Sequence, residues 1–495
     1  MPDKRELDAC PTDQPRSKRL TQTVEGGRMS EGGSLAILKH PRLTGQGFSV
    51  PPLFQQPTRL CSFSFDEKRK LWQDDRCKRF YRGPPPYNNA HPQQSRARMA
   101  GNRRIFGADL NYGIEGFVQR DECVGEHLDA LLAALQHRTT STASGLESKE
   151  RDQERRRADI VTWRGIITKI CTAYDQKATA RFNEAFELNA MILDGTLYLE
   201  EYVCASERAK KQEKERDPRW HRFSYYGYSF ESYCTVETEA ETKEAFGGVV
   251  AFPGSARRDP PGWSGDVNTN VQWCQVVKTK LGGNRLILGG EVDAVQRDQR
   301  TGREEMVELK TSKEMRCFPH DPQRGASDQE VFEGKLLKYF LQSYLLGIGK
   351  IVVGFRDPAG LLTRHEHFET LKLPRIVRAG EEIAGRFDNA GRAAVRQDSV
   401  WQPKDSLGFG DQILSFIRDT VLAHTTKRGA ERSTGHPVFR VSFKAPFEEV
   451  QIRELSEEQV YQQAQDRGTS GERVAFLPKS FYDFVQSQAS AHPHP

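Results

Sequence analysis

The sequence lacks several features that would place it in a specialised class. It has no run of about 18 apolar residues, the length that a membrane-spanning helix needs. Its first residues, MPDKRELDAC, contain no apolar segment of the kind found in secretory signal peptides. Its nine cysteines include no CxxC pair, which fits free thiols in a reducing compartment better than a disulfide framework or a zinc module. We therefore expect a protein that is neither inserted in a membrane nor secreted.

The sequence also lacks a strong excess of charge of either sign. It contains 73 Lys and Arg residues against 68 Asp and Glu residues, a formal net charge of +5. This balance does not identify a nucleic-acid-binding protein, so any basic surface must be local. Charged residues nevertheless make up 28% of the chain and the mean hydropathy is −0.70, which predicts that some segments are unfolded.

The 495 residues are more than one typical domain contains, and we expect one large domain with tails and insertions. Polar composition predicts a disordered basic tail over 1–58 and a loose tail over 487–495. The domain would then occupy 59–486, with charged insertions near 139–157 and 205–219.

Two basic clusters in the N-terminal tail have the spacing of a bipartite nuclear import signal. They are Lys4-Arg5 and the segment from Arg16 to Arg19. A solvated disordered tail that contains a few basic residues explains the same pattern equally well.

Hydrophobic patterning predicts a mixed α/β (α+β) fold. Aromatic and β-branched enrichment favours strands over 225–237 and 350–357, with a helix around 268–281 between other strands. Apolar spacing over 331–349 predicts a strong helix that ends at a glycine.

Two short segments place charged residues two positions apart between apolar runs. They are Glu291-Val-Asp293 and Glu308-Leu-Lys310. In a strand, residues i and i+2 point to the same face, so each segment would present its charged side chains together. The polar linker between them allows the strands to pair as a hairpin or to lie as neighbours. Three carboxylates and one ammonium group would then converge.

This convergence has a metal-binding and a structural interpretation. Hard divalent cations prefer oxygen ligands, and two such ions can activate water for cleavage of a phosphate bond. Alternatively, the segments form the exposed face of an edge strand with an ordinary salt bridge. The flanking apolar runs favour burial, and uncompensated buried acids are too costly without a metal. The residues therefore favour a metal site.

Three further sequence features point to candidates on weaker patterns. Glu231 follows an aromatic segment that we interpret as a strand. Lys335, Lys338 and Gln342 form a polar stripe on the predicted helix 331–349, which faces either solvent or phosphate. Arg164 lies among apolar residues before a glycine, where it forms either a salt bridge or a phosphate clamp.

Six blocks carry a resemblance to a known family. In chain order they are WRGIITK, GYSFE, VNTNVQWC, GGEVD, VELKTSKEM and KLLKYFLQSYLLG. The sequence resembles the DXO decapping exoribonuclease family, and its tail and insertions resemble the fungal nuclear branch, which partners an Xrn-type 5′-to-3′ exoribonuclease. The likeness runs from residue 63 to residue 485. It implies two β-sheets flanked by helices, related to the PD-(D/E)xK nuclease core.

The resemblance also implies roles for individual residues. Metal ligands would be the carboxylates of Glu231, Glu291, Asp293 and Glu308 with the main-chain carbonyl of Leu309. Catalysis would depend on Asp293, Glu308 and Lys310. The substrate would contact Arg69, Glu126, Trp163, Arg164, Gly165, Cys274, Glu291, Lys310 and Gln342. For Cys274, the alternative is a small buried hydrophobic residue.

By this resemblance we expect a nuclear hydrolase of abnormal RNA 5′ ends that uses Mg²⁺ or Mn²⁺, with two ions. Its substrates would be 5′-triphosphate ends, incomplete caps and NAD caps, in RNA quality control and pre-rRNA processing. Two alternatives remain open: a general PD-(D/E)xK DNA nuclease, and a non-catalytic subunit that stabilises the exoribonuclease.

Overall fold

The structure is a computed structural model in which the described residues form eleven α-helices and twenty β-strands. The described residues are 34–45, 47–85, 108–121, 124–125, 127–141, 145–176, 184–243, 250–251, 258–315, 322–379, 401–430, 436–464 and 471–491. No helix among them is long and apolar enough to cross a membrane.

The larger sheet has ten strands. In spatial order they are β1 (Ala36–Lys39), β18 (Glu449–Glu454), β17 (Phe439–Phe443), β6 (Phe186–Leu193), β7 (Thr196–Glu201), β5 (Ile160–Trp163), β12 (Asn284–Glu291), β11 (Gln272–Leu281), β2 (Phe54–Phe65) and β3 (Leu71–Trp72). The strand β12 pairs antiparallel with β11 and parallel with β5.

The smaller main sheet has six strands. In spatial order they are β16 (Leu362–Glu369), β15 (Lys350–Arg356), β14 (Glu304–Lys313), β13 (Ala294–Arg297), β4 (Phe80–Tyr81) and β8 (Thr235–Val236). Two further two-stranded sheets pair β9 (Val250–Ala251) with β10 (Arg258–Asp259), and β19 (Arg473–Val474) with β20 (Leu477–Pro478).

The helices cover both faces of the two main sheets. They are α1 (Pro41–Thr44), α2 (Asp129–Thr140), α3 (Gly145–Arg156), α4 (Arg164–Thr172), α5 (Ala205–Glu215), α6 (Pro218–Cys234), α7 (Pro322–Leu346), α8 (Leu373–Ala379), α9 (Pro403–Ala430), α10 (Glu457–Ala464) and α11 (Lys479–Ala491). The largest apolar cluster joins residues of both main sheets with α4, α7 and α9. A second cluster packs α2 and α11 on the ten-stranded sheet, and a third packs α6 on the six-stranded sheet. The predicted mixed α/β fold with two sheets is confirmed.

The chain passes from one main sheet to the other within a single tripeptide. Glu291 is the last residue of β12 in the ten-stranded sheet, and Ala294 begins β13 in the six-stranded sheet. Strand β12, which ends at Glu291, therefore does not pair with β14, whereas β13 and β14 pair antiparallel across the polar linker. Glu291 and Asp293 instead lie at the junction of the two sheets.

Both predicted tail boundaries are wrong. Strand β1 pairs antiparallel with β18, so ordered structure begins well before residue 58. At the other end, α11 continues to Ala491, and the predicted loose tail from 487 is therefore partly helical. The two basic clusters of the N-terminal tail lie outside the described residues.

Two secondary-structure predictions are also wrong. The segment predicted as a helix around 268–281 contains strand β11, which is paired with β2 and β12 along most of its length. The segment 225–237 belongs mostly to helix α6. Its aromatic residues favour strands in isolation, but Asp217 caps the helix, Pro218 starts it, and its buried residues recur at helical spacing. Tertiary packing and capping override propensity here.

The predicted charged insertions both contain helices, α3 and α5. In α3, the guanidinium of Arg155 lies 3.0 Å from Asp152 and 3.4 Å from Asp194, and only 2% of its side chain is exposed. The hydroxyl of buried Tyr198 also interacts with this guanidinium. Helix α3 is therefore part of the folded domain.

Replacement of Arg155 tests this conclusion. The Arg155→Ala variant leaves two carboxylates without their buried cation, so we expect its free energy of unfolding to fall by about 3–5 kcal/mol. The exposed Arg157 on the following turn is the matched control, and Arg157→Ala should change stability by about 0.5 kcal/mol or less. Equal denaturation midpoints for the two variants would show that the segment is a solvated insertion.

Candidate active site

Four acidic side chains meet where the two main sheets adjoin. Glu291 ends β12, Asp293 lies in the crossing before β13, and Glu308 lies on β14. Glu231 projects from α6, which packs against β14. Electrostatic interactions connect Glu231 with the other three acids. The structure thus brings together all four predicted carboxylates, from the end of β12, the crossing to β13, the middle of β14 and one helix.

Lys310 is the cation at the centre of this group. Its ammonium lies 2.6 Å from the carboxylate of Glu308 and 3.7 Å from that of Asp293. It also donates a hydrogen bond to the main-chain carbonyl of Leu309 at 3.1 Å, and the main-chain N–H of Leu309 donates to Asp293 at 2.6 Å. The pattern Glu308-Leu-Lys310 therefore places an acid and a base on the same face of β14, as the sequence predicts.

Arg164 supplies a second cation from the start of α4. Its guanidinium lies 3.8 Å from Glu308 and donates to the main-chain carbonyl of Glu291 at 3.4 Å. The Nη1 atom is buried without a hydrogen bond. No side chain caps the N-terminus of α4, which leaves its first N–H groups without a capping side chain.

Glycines in β12 allow this close approach. A Cβ atom at Gly290 would lie 2.6 Å from Leu346 and 3.2 Å from Arg164, and one at Gly289 would lie 2.8 Å from the ring of Trp163. Side chains at these positions would push α4 and α7 away from the site. A Cβ atom at Gly165 would meet nothing within 4 Å, so packing does not require that glycine.

The carboxylates differ in how readily they ionise. Burial, with the negative charges of Asp293 and Glu291, raises the pKa of Glu231 well above its usual value. Burial also raises the pKa of Asp293 to about 6, although Lys310 opposes this shift. For Glu308, burial is outweighed by Lys310 and Arg164, which lower its pKa. Burial would lower the pKa of Lys310, but Glu308 and Asp293 raise it above its usual range.

The donor set fits hard divalent cations. Carboxylate oxygens and one main-chain carbonyl are the ligands that such ions prefer. The Oε2 atom of Glu308 is buried without a hydrogen bond, which leaves one oxygen available to an ion. No three of these described carboxylates place one oxygen each within 4.8 Å of one another. The ammonium of Lys310 lies between the carboxylates of Glu308 and Asp293. Ion binding would therefore bring the acids closer together.

Comparisons with known proteins agree with this geometry. A family model described as "RAI1 like PD-(D/E)XK nuclease" matches residues 55–482. The decapping nuclease RAI1 of Mycosarcoma maydis is 59% identical over 513 aligned residues, which cover 99% of this chain and all of that protein. The chain belongs to the RAI1 family of decapping nucleases. The predicted family and enzyme class, a hydrolase acting on RNA 5′ ends, are confirmed.

Two more distant proteins also match this chain, one in sequence and one in fold. The human decapping and exoribonuclease protein is 33% identical, with 75% of this chain and 76% of that protein covered. A crystal structure of Candida albicans Rai1 matches the fold with a TM-score of 0.62 at 20% identity, covering 92% of this chain and 100% of that one.

Arg69 is connected to the site through Gln272, a residue that the sequence did not identify as a candidate. Its guanidinium stacks on the ring of Phe65 at 3.7 Å and donates to the side chain of Gln272. Gln272 in turn donates to the carboxylate of Glu291 at 2.9 Å. Gln272 lies two residues before Cys274 on β11, but only the pairing of β11 with β12 shows that it faces Glu291.

The remaining predicted substrate contacts have different surroundings. Cys274 pairs directly opposite Glu291, but its side chain is buried in the apolar cluster under α2, which supports its alternative interpretation as a hydrophobic residue. Gln342 is half-buried on α7, on the side of that helix that faces β14. Glu126 lies outside the described residues.

Trp163 is held by His127, a second residue that the sequence did not identify as a candidate. Its indole N–H donates to the main-chain carbonyl of His127 at 3.2 Å. The imidazole of His127 lies 3.0 Å from the carboxylate of Glu200, and both side chains are at least 91% buried, with 9% and 3% exposed. Burial would lower the pKa of His127, but the hydrogen bond and charge of Glu200 outweigh it and raise the pKa.

The His127–Glu200 pair predicts a pH-dependent contribution to stability. Because the folded pKa of His127 lies above the unfolded value of about 6.5, the pair contributes fully below that value and loses strength as pH rises through the folded pKa. The difference in unfolding free energy between wild type and Glu200→Gln should therefore be larger at about pH 6 than at about pH 9. As a control, Asp159→Asn breaks a pair with Arg285 that contains no histidine, and its effect should be constant. A constant difference for Glu200→Gln as well would contradict the assignment.

Proposed function

We propose that this RAI1-family chain hydrolyses the first phosphate linkages of abnormal RNA 5′ ends with the help of divalent cations. The substrates would be 5′-triphosphate ends, incompletely methylated caps and NAD caps. The observation that carries this proposal is the convergence of four carboxylates with Lys310 and Arg164 at the junction of the two sheets. Such a set binds metal ions and phosphate oxygens together.

In the proposed reaction, a water molecule attacks a terminal-region phosphorus atom. The phosphorus–oxygen bond to the leaving group breaks, and pyrophosphate, a cap dinucleotide or NAD leaves while the RNA keeps a 5′-monophosphate. Lys310 orients the water or stabilises the charge that develops on phosphate. The buried Arg164 guanidinium and the uncapped N–H groups of α4 bind the phosphate oxygens.

Divalent cations complete the charge balance of this site. Mg²⁺ or Mn²⁺ held by Glu231, Glu291, Asp293, Glu308 and the carbonyl of Leu309 would supply an acidified water and Lewis-acid stabilisation. We propose two ions, because a pair of ions can stabilise both the attacking and the leaving oxygen of a phosphate displacement. Solved relatives support a divalent ion: Candida albicans Rai1 was crystallised with pU5 and Mn²⁺, and Scheffersomyces stipitis Rai1 with (3′-NADP)⁺ and calcium.

We propose that the site takes a strand end rather than an internal segment. A nuclease that binds internal phosphates of a strand needs an extended basic groove, whereas the positive and negative charges of this chain nearly balance. The cations and amides here cluster around the carboxylates, with Arg69 and Gln272 closing the side next to β2 and β11. A compact set of this kind suits a terminal group.

We also propose a nuclear location and a complex with a 5′-to-3′ exoribonuclease, with roles in RNA quality control and pre-rRNA processing. The support is the family branch and the two basic clusters near the N-terminus. Deletion of residues 1–30 should weaken nuclear import without reducing hydrolysis in vitro. A full-length protein that is purely cytoplasmic and captures no exoribonuclease would refute both points.

Activity should depend on the metal and on the acids that hold it. The Asp293→Asn and Glu308→Gln variants should lose hydrolysis of 5′-triphosphate RNA by about 10³-fold or more, because each removes a ligand charge. Glu304 lies on the same strand at the surface, and Glu304→Gln is the matched control with expected full activity. Circular dichroism checks that all three remain folded.

Excess EDTA should abolish the activity, and Mg²⁺ or Mn²⁺ should restore it. Full activity in EDTA would refute the metal-dependent reaction, whereas no hydrolysis even with added Mg²⁺ or Mn²⁺ would leave a non-catalytic stabilising subunit as the better description.

Hydrolysis should also require a free 5′ end. We expect linear 5′-triphosphate RNA to release pyrophosphate and circular RNA of the same sequence to resist, because the phosphate-binding groups form a closed cluster. The Arg164→Ala variant should slow the end-dependent reaction by about 10²-fold, the effect of losing one electrostatic stabiliser. Lys169→Ala, on the same helix but paired with Glu201, is the control. Equal loss of circular and linear RNA would indicate an endonuclease, and indifference to RNA in favour of duplex DNA would indicate a DNA nuclease.

A further inference from the structure

Gln272 lies between a cation and one of the four carboxylates. Its side-chain oxygen accepts a hydrogen bond from the guanidinium of Arg69, and its side-chain NH₂ group donates to Oε2 of Glu291 at 2.9 Å. A guanidinium can only donate hydrogen bonds, and an ionised carboxylate can only accept them. The amide of Gln272 has one group of each kind, so the chemistry of its two partners fixes which way the amide faces.

The Arg69 end of this connection is held by the turn between β2 and β3. The main-chain N–H of Arg69 donates to the carbonyl of Asp66 at 2.9 Å, and its φ of 62° is a left-handed conformation that residues other than glycine rarely adopt. Its guanidinium also donates to the main-chain carbonyl of Asn270 at 3.1 Å and packs on the ring of Phe65. Backbone strain of this kind persists where surrounding contacts fix a functional side chain.

The Glu291 end depends on the hydrogen bond from Gln272. Glu291 is the last residue of β12, and its pairing with β11 fixes its backbone. The last torsion of a glutamate side chain is only weakly restricted, so a hydrogen bond to one oxygen decides how the carboxylate is turned. Carboxylates that bind metal ions are oriented by outer partners in this way, and loss of such a partner typically costs about 10- to 100-fold in metal affinity or activity.

We propose that Gln272 is a positioning residue that holds the carboxylate of Glu291 in the orientation a divalent cation requires and connects it to Arg69. This inference rests on the proposed function and adds to it a residue that acts through Glu291. Arg69, which the resemblance assigns to the substrate, then influences cation binding through a single amide.

Gln296 provides a matched control in the six-stranded sheet. Its side-chain oxygen accepts from the ammonium of Lys350 at 3.1 Å, and its NH₂ group donates to the carboxylate of Glu305 at 3.1 Å. Both glutamines are half-buried and lie between a cation and a glutamate. Glu305 is not one of the four converging acids, so loss of the Gln296 amide tests the general effect of removing such a connection.

The experiment measures Mn²⁺ binding to the full chain without RNA, from the electron paramagnetic resonance signal of free Mn²⁺. We expect Gln272→Met to weaken Mn²⁺ binding about tenfold and Gln296→Met to leave it unchanged. Arg69→Met should weaken binding about two- to threefold, the effect of one weakened hydrogen bond. Addition of Arg69→Met to Gln272→Met should cause no further loss, because the connection is already broken.

Kinetics separate positioning of Glu291 from direct contact of Gln272 with RNA. At saturating Mn²⁺, Gln272→Met should regain the wild-type kcat and KM for 5′-triphosphate RNA, because excess ion compensates for a weaker site. Asp293→Asn, which removes the charge of a proposed ligand, should stay impaired under the same conditions.

Several results would overturn the inference. They are equal Mn²⁺ affinity of Gln272→Met and wild type, equal losses for Gln272→Met and Gln296→Met, additive losses for Arg69→Met and Gln272→Met, or a raised KM for RNA with unchanged Mn²⁺ affinity. If Gln272→Met does not fold, Arg69→Met decides the matter, and unchanged Mn²⁺ binding in that variant counts against the connection. If wild type binds Mn²⁺ but releases no pyrophosphate from 5′-triphosphate RNA, the proposed function is wrong, while the binding measurements still decide the role of Gln272.

Discussion

The constraint on which this structure depends is the burial of four carboxylates around one lysine. Burial and mutual repulsion raise the pKa of Glu231 and Asp293, and among the described residues the charges of Lys310 and Arg164 and the N–H of Leu309 oppose these shifts. Two cations cannot compensate four anions in a poorly hydrated interior. The site is therefore built to accept additional positive charge, and its resting arrangement is less stable than an apolar junction would be.

The rest of the fold supplies the groups that this constraint requires. The chain crosses between sheets at Glu291-Val-Asp293, so acids from both sheets face the same space. The glycines of β12 let the start of α4 approach closely enough for Arg164 to reach Glu308. The site therefore depends on the small volume of these glycines as well as on its charged groups.

Charge placement, rather than net charge, distinguishes the two sides of the site. On one side, Arg69 and Gln272 connect directly to Glu291, and the polar groups there are bonded to one another. On the other side, Lys310 lies between the carboxylates of Glu308 and Asp293. A nearly neutral protein can in this way place a few cations where phosphate would bind, with modest dependence on salt.

The sequence by itself determined the chemistry of the site. The spacing in Glu291-Val-Asp293 and Glu308-Leu-Lys310 and the apolar runs around them are local patterns, and they identified three acids and the lysine that the structure brings together. Six blocks in order likewise identified the family that the comparisons confirm. Both follow from residue type and short-range periodicity, which need no knowledge of distant contacts.

Only the tertiary structure decided which elements carry these residues. Glu231 lies on a helix rather than a strand, because a cap and long-range packing of α6 override the propensity of its aromatic residues. Gln272 and His127 contact site residues through strand pairing and through a main-chain carbonyl, neither of which leaves a sequence signal. The charged segment around Arg155 folds because Asp152 and Asp194 neutralise it in the interior, and Asp194 is a partner 39 residues away. Long-range pairing of this kind depends on the assembled fold, and composition alone does not reveal it.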